Sequence, residues 1–126
     1  MIELVWDTHM AGTVTTRRGG TLGVGDDAPF GPEDLFSAAV AASVMQAFIG
    51  AAAEHGMKVL AYLSTAEMLQ TKNGGVHLDA YIATARETTD KALATVAEQA
   101  VRTSPVARLL GRRLMAEWHL HVLHGA

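Results

Sequence analysis

The chain of 126 residues contains no cysteine, only three prolines and 6% aromatic residues. Without cysteine the protein cannot form a disulfide or bind a metal through thiolates. Basic residues are also sparse, and their longest runs are two pairs, Arg17-Arg18 and Arg112-Arg113. Because nucleic-acid binding needs a basic stripe, these pairs and a net charge of -3 argue against a nucleic-acid partner.

The composition of the chain is that of a folded protein with a real core. Apolar residues make up 49% of the sequence and charged residues 18%, which excludes a disordered chain. This length fits one domain, which we predict over residues 1–126. The first residues lack the basic and apolar regions of a signal peptide, so the expected location is cytoplasmic.

One apolar run, residues 35–53, is long enough to raise the question of a membrane span. It consists largely of alanine, with glycine, Ser43 and Gln46, rather than of leucine and isoleucine. Because alanine contributes little free energy of transfer into lipid, the run favours a buried helix and no membrane partner.

The order of the expected elements indicates an α+β fold. Strands are expected at residues 2–8, 12–16, 21–24, 57–70, 76–86 and 114–123. Helices are expected at residues 32–55, 90–102 and 106–111. The first helix is apolar nearly all round, so it should be buried on most sides. We therefore predict mostly antiparallel sheets packed on a long central helix.

Histidines near the C-terminus raise the question of a metal site. His119 and His121 share one face of the last expected strand with Glu117, whereas His124 lies beyond the strand end. Two imidazoles on one face can bind zinc, but a hydrated strand face is the more common arrangement. His77 lies on the polar face of another strand and suggests no site. We therefore predict no metal and no other cofactor.

Two segments carry a family resemblance. In GPEDLFSAAVAASVMQAF, residues 31–48, a Pro-Glu-x-Leu helix start precedes an alanine-rich turn, and Ser43 follows Glu33 by ten residues. In VRTSPVARLL, residues 101–110, Ser104 precedes Pro105-Val106. Both segments resemble the OsmC family (osmotically inducible protein C) and its organic hydroperoxide resistance relatives. That family has a cysteine at each of the two serine positions.

The resemblance implies the OsmC fold, an intertwined homodimer with interfacial sites, and thiol-dependent peroxide reduction in the oxidative stress response. In that reaction the first cysteine attacks the peroxide, and the second resolves the sulfenic acid as a disulfide. The helix-start glutamate and an arginine hold the first cysteine as thiolate. Glu33 is retained here, and Arg17 and Arg18 lie in the corresponding part of the chain in a different context. Because a hydroxyl stays protonated near neutral pH and lacks sulfur's oxidation states, we predict that this activity is lost.

Three functions are compatible with this sequence. The first, which we favour, is a non-catalytic homodimer whose interfacial pocket binds a small apolar or acidic molecule near Glu33, Ser43 and Ser104, with Arg17 and Arg18 as further candidates. The second is a non-thiol enzyme, such as a hydrolase with a serine nucleophile. The third is a purely structural or partner-binding dimer whose pocket is closed.

Each of the three central residues also has an ordinary structural role to weigh against binding. Ser43 could bond to the carbonyl of its own helix, and no Gly-x-Ser-x-Gly motif marks it as a nucleophile. Ser104 could cap the short helix that follows it. Glu33 could simply stabilise a helix N-terminus by charge. Glu33 and Ser43 are about 15 Å apart along a straight helix, so one site would need a bridging arginine or a second subunit.

Overall fold

The computed structural model describes residues 1–26 and 28–123, which excludes His124. Its contacts divide the chain into two compact units, Met1–Phe36 and a second unit that begins at Ser37. We describe each unit by itself, and a single domain over the whole chain stays a prediction.

The first unit contains a three-stranded antiparallel sheet in the order β1-β2-β3. Its strands are β1 (Ile2–Thr8), β2 (Ala11–Thr16) and β3 (Thr21–Gly25), which confirms the three expected strands. Gly25 ends β3 with a φ of 141°, and a side chain there would overlap the carbonyl of Met10. A residue with a Cβ would therefore strain this end of the sheet.

The long helix α1 spans Pro32–Glu54 and begins in the first unit. Proline at its first position and two acidic residues in its first turn favour this start, and Gly56, with a φ of 68°, follows its end. Its buried residues recur every three or four positions along one face: Ser37, Val40, Val44, Phe48, Ala51 and Ala52. Within one chain α1 is thus buried on one face, and not on most sides as expected.

Length and composition would also allow α1 to cross a membrane, since its apolar window has a mean hydropathy of 1.7. However, its buried face packs in the core, where Phe48 stacks on Trp118 with 5.1 Å between ring centroids. This face is packed as in a core helix, although only 33% of the apolar window is buried within one chain.

The second unit contains a sheet in the order β4-β5-β6. Its strands are β4 (Val59–Met68), β5 (Val76–Ala85) and β6 (Leu114–Leu123). A hairpin joins β4 to β5 in antiparallel pairing, whereas β5 and β6 pair in parallel. Because parallel strands cannot be joined by a tight turn, the chain between them forms a crossover. The crossover consists of α2 (Asp90–Thr103), α3 (Pro105–Leu110) and a 3-10 turn (Gly111–Arg113).

The two faces of this sheet have different surroundings. Even-numbered residues of β5, among them Leu78 and Ile82, are buried and form two core clusters with α1, α2 and α3. Odd-numbered residues of β5 and β6 lie on the opposite side and are half-buried or exposed. We call this second side the outer face.

Phe48 should be the most sensitive position in the core, since it is fully buried between α1 and the sheet. We expect Phe48→Ala to lower the free energy of unfolding by about 3–5 kcal/mol, measured by urea denaturation. Leu109→Ala is the matched control, because this leucine is 88% exposed and its truncation should change stability by less than about 0.5 kcal/mol. Equal losses in the two variants would contradict the assigned core.

Candidate functional site

Ser104 lies at the junction between α2 and α3 and caps both helices. Its backbone N–H donates to the carbonyl of Ala100 at 2.9 Å, which ends α2. Its Oγ accepts from the N–H of Ala107 at 3.2 Å, which starts α3 with Pro105 at the first position. The structure thus confirms the capping role expected for Ser104.

Ser43 lies in the middle of α1 and contacts this junction. Its Oγ is 2.7 Å from the Oγ of Ser104, and the N–H of Val106 donates to it at 3.4 Å. Ser104 is fully buried and Ser43 half-buried. Two serines 61 positions apart therefore meet, and in the described residues the partners of the Ser43 hydroxyl are on the junction rather than on its own helix.

The chemistry available to the two hydroxyls is limited by their partners. A serine nucleophile needs a general base within hydrogen-bond reach. Among the described hydrogen bonds of Ser43 and Ser104, the partners are the other serine and backbone amides, with no imidazole or carboxylate. One hydroxyl proton lies between the two oxygens, and each oxygen also accepts an N–H. Among the described residues of one chain, the arrangement is a polar packing contact.

The other candidate residues belong to the first unit. Glu33 is exposed in the first turn of α1, and Arg17 and Arg18 are exposed in the turn between β2 and β3. At the same helix start, Asp34 accepts from the N–H of Gly31 at 2.9 Å, so Asp34 forms the local cap. A shared site of Glu33 or either arginine with the two serines stays a prediction.

The cavities found in the described part of the second unit lie away from the serine pair. Five cavities of 250 to 580 Å³ are formed there, and neither Ser43 nor Ser104 lines any of them. Within one chain the Ser104 side of the contact is fully buried, whereas Ser43 is half-buried.

A second polar group on the outer face was missed by the sequence analysis. The parallel register places Asp79 directly opposite Glu117. His77 Nε2 lies 3.1 Å from a Glu117 oxygen and 3.6 Å from an Asp79 oxygen. His119 Nε2 lies 3.0 Å from the other Asp79 oxygen. His77 is thus part of a cluster and not an isolated histidine, and His119 contacts a carboxylate from a different strand.

Electrostatics of this cluster favour the charged forms of His77 and Asp79. The hydrogen bond to Glu117 raises the pKa of His77, and the negative charges of Asp79, Glu117 and Glu67 add to this against a smaller opposing effect of desolvation. The hydrogen bond from His119 is the largest cause that lowers the pKa of Asp79. The sequence pattern His-x-Asp on β5 and Glu-x-His on β6 carried this signal, but only the parallel pairing brings the two patterns together.

The chain is similar to known proteins over most of its length. The sequence profile of OsmC-like proteins matches residues 25–118. No curated protein matches the chain. An OsmC-like protein of unknown function from Vibrio cholerae is 17% identical, with a TM-score of 0.82 over 94% of this chain and 97% of that one. An OsmC-like protein from Mycoplasma pneumoniae is 12% identical, with a TM-score of 0.81 over 98% and 96% of the two chains.

A named hydroperoxide resistance protein has the same fold. The organic hydroperoxide resistance protein OhrB of Bacillus subtilis is 13% identical, with a TM-score of 0.68 over 96% of this chain and 98% of that one. At such identities the likeness shows the fold, and the profile match over most of the chain shows the family. The protein therefore belongs to the OsmC-like family, with the α+β fold of that family and without a cysteine.

Proposed function

We propose that this OsmC-like protein has lost thiol peroxidase chemistry and acts as a non-catalytic homodimer. The observation that supports this most directly is the 2.7 Å contact between the hydroxyls of Ser43 and Ser104. These are the two positions at which the family resemblance implies redox cysteines. The scaffold thus keeps the two positions in contact while oxygen replaces sulfur at both.

Oxygen at these positions removes the chemistry that the family reaction needs. A thiolate attacks peroxide because its pKa can be lowered towards neutrality, and sulfur then passes reversibly through a sulfenic acid and a disulfide. A serine hydroxyl has neither property. The alternative of a serine hydrolase is less well supported, because the described partners of both hydroxyls include no base.

A second copy of the chain is the partner that the surface of α1 favours. Exposed residues at helical spacing form an apolar stripe along α1: Ala38, Ala42, Met45, Ile49 and Ala53. Met45 is 38% exposed and Ile49 43% exposed. An uncharged stripe of this length is typical of an interface, and a two-fold axis would pack it on its own copy.

A ligand pocket, where the protein has one, would involve the second subunit. Neither serine lines a described cavity of one chain, so the proposed site for a small apolar or acidic molecule near Ser43, Ser104 and Glu33 would be completed by the second subunit. A dimer with no pocket, serving as a structural or partner-binding protein, is the competing proposal. Cytoplasmic location and a role in oxidative stress stay predictions.

The loss of peroxidase chemistry can be tested by restoring sulfur. We expect the wild type to consume no cumene hydroperoxide above a blank without protein, in the presence of a dithiol reductant. Ser43→Cys/Ser104→Cys should form an intramolecular disulfide and consume peroxide, because the two sulfur atoms would lie where the oxygens touch. Peroxide loss and the mass of the oxidised protein are the measurements.

A thiol placed elsewhere on the same helix provides the control. Ser37 is buried on α1, and Ser104 is not among the described partners of its side chain. Ser37→Cys/Ser104→Cys should therefore form no intramolecular disulfide and show no turnover. Peroxide consumption by the wild type at a rate near that of the double variant would overturn the proposal.

The proposed dimer can be tested by placing charge on the apolar stripe. We expect the wild type to have twice the mass of one chain in light scattering, and Met45→Lys/Ile49→Lys to have the mass of one chain. Burying two unpaired ammonium groups in an apolar interface costs several kcal/mol. Leu109→Lys, which introduces charge at an exposed leucine on α3, should leave the dimer intact. A monomeric wild type, or a dimer that tolerates both lysines on α1, would refute this interface.

A further inference from the structure

We propose that the outer face of the second sheet is a zinc-binding site, with His77, Asp79 and Glu117 as ligands and His119 as a positioning residue. This inference is independent of the proposed function, because the site lies on the side of the sheet opposite to the helices that carry Ser43 and Ser104. It concerns an ion bound by side chains of one chain.

The strand register builds the site on rigid backbone. Residues two apart on a strand point to the same side, so His77 and Asp79 share the outer face of β5. Glu117 and His119 share that face on β6, and Asp79 lies opposite Glu117 in the parallel pairing. Ligands on two hydrogen-bonded strands keep their spacing without a cost in loop ordering.

The distances from the His77 nitrogen to the two carboxylate oxygens are close to those between ligands of a metal site. Tetrahedral ligands at roughly 2.0–2.1 Å from zinc are about 3.3 Å from one another. The Nε2 of His77 is 3.1 Å from the Glu117 oxygen and 3.6 Å from the Asp79 oxygen. All three ligand atoms lie within 4.8 Å of one another. A fourth position would be open to water, because the three side chains are half-buried or exposed.

The surrounding charge favours a cation. Glu67 adds a third carboxylate beside Asp79 and Glu117, because it lies opposite His77 on β4. The other cross-strand neighbours of the cluster in the described sheet are Thr65, Met115 and Tyr81, so lysine and arginine are absent from these pairings. A divalent cation would therefore lie among three carboxylates, with no lysine or arginine in these pairings to repel it.

His119 orients Asp79 rather than completing the ligand set. Its Nε2 bonds one Asp79 oxygen at 3.0 Å, which leaves the other Asp79 oxygen directed at His77. Its ring stacks on Tyr81 with 4.6 Å between centroids and 15° between planes. A ring fixed in this way holds the ligand carboxylate in place, as residues around a metal's direct ligands commonly do.

The donor set selects the class of metal. One imidazole nitrogen and two carboxylate oxygens suit zinc and its neighbours in the first transition row. Magnesium and calcium prefer six or more oxygen ligands and should bind poorly here.

The test measures Zn²⁺ binding by the full chain in competition with a chromogenic zinc chelator. We expect one ion per chain in the wild type, no competition by Mg²⁺, and visible d–d absorption when Co²⁺ replaces zinc. His77→Asn, Asp79→Asn and Glu117→Gln should each weaken zinc binding at least tenfold. His119→Ala should weaken it by about tenfold, and His119→Gln, which keeps an N–H donor, should restore most of the affinity.

His121→Asn is the matched control, since His121 lies on the same face of β6, opposite Ala83 and outside the cluster. It should bind zinc as the wild type does. In the folded wild type, Zn²⁺ should also shift the imidazole NMR signals of His77 before those of His55 or His9, a readout that does not depend on the stability of any variant. Zinc affinity unchanged in the three ligand variants, loss of binding in His121→Asn, or failure to compete with the chelator would each overturn the proposal.

Discussion

The parallel pairing of β5 with β6 determines where both polar groups of the second unit lie. The register runs from Val76 opposite Leu114 to Ala85 opposite Leu123, and the crossover that it demands is made by α2 and α3. The crossover packs on one face of the sheet and brings Ser104 to α1. The same register aligns two carboxylates on the other face. One constraint on the backbone thus produces a polar contact among the helices on one face and a polar cluster on the other face.

Helix ends and turns depend on residues that are close together in the sequence, so they could be predicted from it. Gly56 follows the end of α1, and the side chain of Thr89 caps the start of α2 by accepting from the N–H of Ala92. Such signals are local, and the elements begin or end within a few residues of the expected positions. The meeting of Ser43 with Ser104 is not local, and it followed instead from the family resemblance. Both serines were assigned to one site on that ground, and their hydroxyls do touch.

Contacts between distant strands could not be predicted in the same way. Alternation of polar and apolar residues shows which face a side chain takes, but not which strand lies beside it. Alternation alone therefore does not bring His77 and His119 together, although Asp79 contacts both. The part of the protein that covers the apolar surface of α1 could not be predicted from the sequence either. An apolar helix indicates that its surface is covered, but its sequence does not distinguish cover by its own chain from cover by another.

The Ser43–Ser104 hydrogen bond attaches α1 to the α2–α3 junction, and two serines cannot replace it with a disulfide. A cysteine pair at this point would switch between a weak contact and a disulfide worth roughly 2–4 kcal/mol, according to the reduction potential of its surroundings. A hydrogen bond contributes about 1 kcal/mol and does not respond to that potential. The junction therefore keeps one geometry in oxidising and reducing conditions alike, and a surface formed on it is insensitive to thiol–disulfide balance.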